Sequence, residues 1–201
     1  MTSQPALLSC DAITAMRAGK HLTKPVTFQV QAHSYVQLRG PNGVGKSTLL
    51  RHLCGLVPHH DCQIALHGTP VNASLIAHTI KCAYLGHRDG LHPDLNAYEN
   101  FECLTGKDRQ DLVQKPWFDR PVASYSAGQR QMLNLMLLDD ENDLWLLDEA
   151  SASLDQDNLR YLEERIAGFL ALGGAVIAAT HTPLADQLAT DILWLEQAET
   201  P

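Results

Sequence analysis

Residues 39–50 read RGPNGVGKSTLL, and the spacing G-x-x-x-x-G-K-[ST] falls on Gly40, Gly45, Lys46 and Ser47, with Gly43 between. Glycines let successive backbone N–H groups turn inward and converge on phosphate oxygens. A helix beginning near Lys46 aims its positive end at the same charge. Lys46 reaches the β- and γ-phosphates, and Ser47 offers a hydroxyl to Mg²⁺. Pro41, Asn42, Val44 and Thr48 complete the candidate nucleotide-binding stretch. The plainer alternative is an ordinary glycine turn, but this one follows an apolar strand-like run, Tyr35 to Leu38, and opens a helix-prone segment.

Phosphate chemistry needs an acid at the end of a second buried strand. LWLLDE provides one: Asp148 closes the apolar run and is placed to hold Mg²⁺ through water. Glu149 follows and is the candidate to polarise an attacking water. Alone, such a pair reads more simply as acids at a helix start.

These groups need a scaffold. VTFQVQ (26–31) and SYVQLR (34–39) have strand character and a short separation, as in an antiparallel pair. CQIALHG (62–68) and KCAYLG (81–86) are further strand candidates. LNAYENFECL (95–104) and GQRQMLNLMLLDD (128–140) suit helices. DLWLLD (143–148) and AVIAAT (175–180) have the continuous apolar character of strands buried on both faces. DILWLE (191–196) is a third of that kind, at an edge. Between them, residues 154–174 form an amphipathic helix stopped by Gly173 and Gly174. The expected architecture is α/β, a parallel core with an antiparallel flank. Residues 88–127 fit neither layer and are assigned to a short helical lobe within a single domain, 1–201.

With 201 residues, 45% of them hydrophobic, the chain suits one domain with a substantial core. Its net charge of −8 argues against a nucleic-acid partner and against direct adsorption to anionic lipid. Five scattered cysteines, odd in number and never spaced CxxC, read as reduced thiols. No basic stretch precedes the first apolar residues, so no secretory signal is expected. The longest nearly apolar stretch, 167–179, is too short to span a bilayer. Membrane contact is therefore expected through partners only. His59, His60, Asp61, Cys62 and His67 suggest metal but lack metal-site spacing, and read as a polar loop. Trp117 and Phe118 read as core packing, with contact to a membrane partner as the alternative.

The stretch YSAGQRQ (125–131) exposes a hydroxyl and backbone N–H groups at a helix start, a second anion site on the same chain. One triphosphate cannot easily use both sites on one subunit, whereas a head-to-tail pair can. Here the sequence resembles the ATP-binding subunits of ABC transporters. Their signature, usually Leu-Ser-Gly-Gly-Gln, corresponds to Tyr125-Ser126-Ala127-Gly128-Gln129. LDEASASLD (147–155) resembles their Walker B and D-loop, with Ala150 where Pro is usual. His181 in ATHTP resembles their switch histidine, although a lone histidine after a strand is more often structural.

The resemblance covers nearly the whole chain. It implies a P-loop NTPase (RecA-like) core, ATP with Mg²⁺, and a homodimer in which Ser126, Ala127, Gly128 and Gln129 meet the partner's ATP. Two departures stand out. Where the family usually has Gln, this chain has His87, a candidate to bond water or metal that titrates near neutral pH. Where an adenine-stacking aromatic is usual, it has Met16-Arg17, and Arg17 is the candidate to stack instead. These departures and the compact lobe resemble one branch, the ATPase of the heme exporter in bacterial cytochrome c maturation. That resemblance implies integral-membrane partners at the cytoplasmic face of the bacterial inner membrane. An ATPase of another importer or exporter, or a soluble ABC-type ATPase, is the alternative.

Overall fold

Leu144, Trp145, Leu146, Leu147 and Asp148 are all buried, and this strand lies inside the sheet on which the site is built. The structure is a computed structural model describing residues 5–58, 62–71, 81–86, 90–107, 115–152, 154–181 and 184–198. Its strands are β1 (Leu8–Ile13), β2 (Met16–Arg17), β3 (Lys20–His21), β4 (Val26–Val30), β5 (Tyr35–Arg39), β6 (Gln63–Leu66), β7 (Thr69–Val71), β8 (Cys82–Leu85), β9 (Leu144–Asp148), β10 (Ala175–Ala179) and β11 (Asp191–Trp194). The described helices are α1 (Lys46–Leu53), α2 (Ala97–Thr105), α3 (Ala127–Met136) and α4 (Gln156–Ala171).

The core sheet runs β11–β5–β10–β9–β8, parallel throughout. A flank sheet, β4–β1–β6–β7, is antiparallel. The period-2 alternation of the core strands divides the interior. Val36, Leu38, Leu144, Leu146 and Ile177 face α1 and the flank sheet. Tyr35, Trp145, Leu147, Val176 and Ala178 lie in one cluster with α4, α3, α2 and the segment carrying Phe118 and Val122. Burying each such large side chain contributes roughly 1.5–3 kcal/mol.

Two expectations need correction. β4 and β5 do not pair: β4 is an edge of the flank sheet, and β5 sits between β10 and β11 in the core. Gln37 gives β5 the look of a half-polar strand, yet it is buried. Its amide donates to Asp186 Oδ1 at 2.6 Å and its oxygen accepts from Arg39 NH2 at 2.7 Å. β8 likewise joins the parallel core beside β9. β11 is an edge strand as expected, but it is not buried. Ile192 and Trp194 share one uncovered face of the strand and are each 60% exposed, while Leu193 on the other face packs against the core.

The helices are locally encoded. Asn96 and Glu99 form a reciprocal capping box on α2, and Ser126 and Gln129 form another on α3. Asp155 caps α4 by accepting from the Asn158 N–H. Trp145 locks β9 to α4, with its ring stacked on Phe169 at 3.9 Å and the Arg165 guanidinium 5.3 Å from the ring centre. Phe118 is fully buried, meeting Trp117 at 4.8 Å and Tyr98 at 5.5 Å edge-on. None of the five cysteines is in a disulfide. Among the described residues, no helix is long and apolar enough to cross a membrane.

Candidate nucleotide site

Strand register brings the candidate residues together. Ala179 of β10 is opposite Leu38 of β5 on one side and Asp148 of β9 on the other, so three carboxyl ends finish side by side. Crevices outside the carboxyl ends of parallel strands are where such sheets bind ligands. The loop Gly40–Gly45 leaves β5 there, and α1 begins at Lys46.

Local sequence shapes that loop. Gly45 has φ +110, and a Cβ at this position would lie 2.7 Å from the Ala15 Cβ. The loop is thereby seated against the stretch that opens the β2–β3 hairpin carrying Met16 and Arg17. Arg17 itself is exposed. Val44 is buried as the loop's anchor, while Pro41, Asn42 and Gly43 are exposed, and Thr48 is half-buried on α1. Lys46 is 7% exposed and its ammonium donates to the carbonyls of Gly40 (2.9 Å) and Pro41 (3.1 Å). Burial pulls its pKa below the ordinary lysine value, against the opposing pull of Glu149 and Asp148.

Ser47 Oγ donates to Asp148 Oδ1 at 2.8 Å. The other oxygen, Oδ2, accepts from the Tyr84 hydroxyl at 3.0 Å, and that hydroxyl accepts from Arg51 Nε at 3.2 Å. Burial pushes the Tyr84 phenol up to about 12, so it stays a neutral donor. Ser47 Oγ and the Asp148 carboxylate are hard oxygen donors. They suit Mg²⁺, which binds through one or two carboxylates together with substrate phosphates.

Glu149 has φ +56, a left-handed conformation uncommon outside glycine that costs of order 1–3 kcal/mol. Its N–H donates to Ala179 O at 2.8 Å, turning the chain as it leaves β9. Glu149 Oε1 thereby lies 3.3 Å from His181 Nε2. Ser151 Oγ pairs with Thr180 Oγ1 at 3.1 Å, and Gln131 of α3 donates to Ala150 O at 3.0 Å. These bonds tie the segments after β9 and β10 together and connect both to α3.

At the start of α3, Ser126 and Ala127 are exposed and Gly128 and Gln129 half-buried. Ser126 Oγ accepts from the Gln129 N–H at 3.2 Å, and Gln129 Oε1 accepts from the Ser126 N–H at 2.9 Å. The N–H groups of Ala127 and Gly128 have no intrahelical acceptor, as at any helix start. A cavity of about 200 Å³ opens beside them, lined by Lys115, Trp117, Ser126, Gly128, Gln129 and Asp155.

His87, with His59, His60 and Asp61, lies outside the described residues. Sequence reasoning did not reach Tyr84, Arg51 or Gln131. Tyr84 sits in an apolar strand and Arg51 in an amphipathic helix, where neither residue type is unusual. Only the position of Gln131 in the YSAGQRQ run hinted at a role.

A family model described as "ABC transporter" matches residues 23–152. The cytochrome c biogenesis ATP-binding export protein CcmA of Rhodobacter capsulatus is 35% identical, over 89% of this chain and 82% of its own length. The protein of that name from Xanthomonas oryzae pv. oryzae is 35% identical over 96% of both chains. Among solved structures, an ATP-binding subunit of an ABC transporter superposes with a TM-score of 0.78 at 21% identity, covering 94% of this chain and 85% of its own. A nucleotide-free ATP-binding cassette superposes at 0.74 with 14% identity, covering 94% and 87%. The chain belongs to the ABC transporter family as an ATP-binding ATPase subunit, of the type found among the cytochrome c biogenesis export proteins.

Proposed function

We propose that this chain is the ATPase of a membrane complex that couples ATP binding and hydrolysis to heme export or delivery in cytochrome c biogenesis. One observation carries the catalytic part: the shared register of β5, β9 and β10 gathers Ser47, Asp148, Glu149 and His181 around the Lys46 loop. The names of the relatives support the assignment to cytochrome c biogenesis and export, and the heme part rests on the sequence resemblance alone.

In this reading Gly40 to Thr48 cradle the triphosphate, and Lys46 neutralises the β- and γ-phosphates. Glu149 accepts the proton of the attacking water. His181, paired with Glu149, orients that carboxylate and faces the terminal phosphate. Ser47 and, through water, Asp148 would hold Mg²⁺, which would supply charge neutralisation at the phosphates. His87 takes the sequence position where the family usually has Gln and is the candidate to bond water or a metal-bound ligand. The chain is one nucleotide-binding domain with a lobe at about 88–127. It works as a homodimer in which Ser126, Ala127, Gly128 and Gln129 of one copy close the other copy's ATP. The exposed, capped start of α3 supports that pairing. Integral-membrane subunits of the heme exporter hold it at the cytoplasmic face of the bacterial inner membrane.

Deletion in the native host tests this reading. Growth without holo-cytochrome c, restored by the wild type and not by Glu149→Gln, is the expected outcome. Normal holo-cytochrome c in the deletion strain would remove the heme assignment. Capture of the native complex from membranes tests the partners.

A further inference from the structure

The Asp148 carboxylate is gripped at both oxygens, and only one grip comes from the phosphate-loop helix. Ser47 holds Oδ1, while Tyr84 of β8 holds Oδ2. Tyr84 is in register with Leu146, two residues short of Asp148 on the neighbouring strand, so its ring leans along the strand to reach the acid. Arg51 stands one turn beyond Ser47 on the same face of α1 and donates to the Tyr84 hydroxyl. Gly86 makes room for the ring: a Cβ there would lie 2.6 Å from Tyr84 Cε1 and 2.8 Å from its hydroxyl. Helix, outer strand and central strand therefore converge on one carboxylate that is 3% exposed. A carboxylate free to rotate offers a cation a blurred target, and outer bonds that fix a ligand's orientation raise its affinity.

We propose that Tyr84 is a positioning residue for the cation-holding carboxylate. By fixing Oδ2 it turns Oδ1 toward Ser47 and the divalent cation of the bound nucleotide, and Arg51 in turn sets the Tyr84 hydroxyl. The proposal rests on the reading of Ser47 and Asp148 as the cation site.

The test is titration of Mn²⁺ into the full-length protein saturated with a non-hydrolysable ATP analogue, with free Mn²⁺ read by electron paramagnetic resonance. Tyr84→Phe removes one hydroxyl and should weaken Mn²⁺ binding about tenfold, the worth of one hydrogen bond to a charged group. Arg51→Gln leaves the phenol in place and should weaken it by a smaller factor. Affinity for the analogue in EDTA should stay within about twofold of wild type in both variants. In turnover assays the Mg²⁺ concentration for half-maximal rate should rise, while kcat at saturating Mg²⁺ falls less than about threefold. Unchanged Mn²⁺ affinity in Tyr84→Phe, beside a clear loss in Ser47→Ala, overturns the positioning role and leaves the cation site standing. Unchanged Mn²⁺ affinity in Ser47→Ala overturns the site itself. An equal loss of analogue affinity in EDTA shows general loosening and also overturns the role of Tyr84.

Discussion

Glu149 Oε1 and His181 Nε2 lie 3.3 Å apart, joined across the ends of two neighbouring strands. The contact depends on the left-handed turn at Glu149, which points its side chain toward the segment after β10. Glu149→Gln keeps that shape and removes the proposed base. Hydrolysis is expected to fall by about 10²–10⁴, with ATP binding retained and an ATP-bound dimer accumulating on gel filtration. Wild-type turnover in this variant would place the base elsewhere.

Lys46 donates to the carbonyls of Gly40 and Pro41 across the phosphate loop. Lys46→Ala removes the charge proposed to meet the β- and γ-phosphates. Affinity for ATP should drop about a hundredfold, consistent with loss of charge-assisted bonds, with little change in melting temperature. Calorimetric titration with ATP checks this.

Gly45 has no room for a methyl group, which would lie 2.7 Å from Ala15 Cβ at a φ of +110. Gly45→Ala is therefore expected to destabilise the chain by about 2 kcal/mol and to displace the loop. Urea unfolding and ATP binding should both report it. Gly43→Ala, whose Cβ would meet nothing within 4 Å, should leave stability closer to wild type despite a φ of +77.

Ser126 serves α3 as its cap and serves the proposed dimer as a phosphate contact, and one substitution separates the two. Asp caps helices as well as Ser does, but its charge repels a γ-phosphate. Ser126→Asp should keep the melting temperature within a few degrees and abolish the ATP-dependent dimer of the Glu149→Gln protein. An ATP-dependent dimer of normal affinity would remove Ser126 from the interface.

Tyr35 is buried, its hydroxyl donates to Leu184 O at 2.8 Å, and burial raises its pKa to about 12. The neutral phenol is therefore favoured in the folded state. Its contribution to stability is complete below the unfolded value near 10 and is lost as pH rises through about 12. Tyr35→Phe should flatten the fall in stability across that interval, read from urea midpoints at successive alkaline pH values.

Much of this protein follows from local rules. The Gly-rich loop, the capping boxes on Asn96 and Ser126, the glycines after α4 and the apolar runs of β9 and β10 each depend on neighbours a few residues away. Backbone preference and short-range hydrogen bonding decide them, and they are legible in the sequence. What the sequence alone did not decide is which strands pair. Gln37 made β5 resemble a half-exposed strand because its partners, Leu184 and Asp186, are nearly 150 residues away. β1 gives no clear strand pattern because its register shifts between Cys10 and Ile13, which breaks its alternation. The second grip on Asp148 was equally hidden. Tyr84 and Arg51 are ordinary residues in their own elements, and they gain meaning only where parallel pairing sets β8 beside β9 and packs α1 against both. Local propensities act over one turn or one pleat, whereas the orientation of a buried carboxylate is set by whatever long-range packing brings within 3 Å of it.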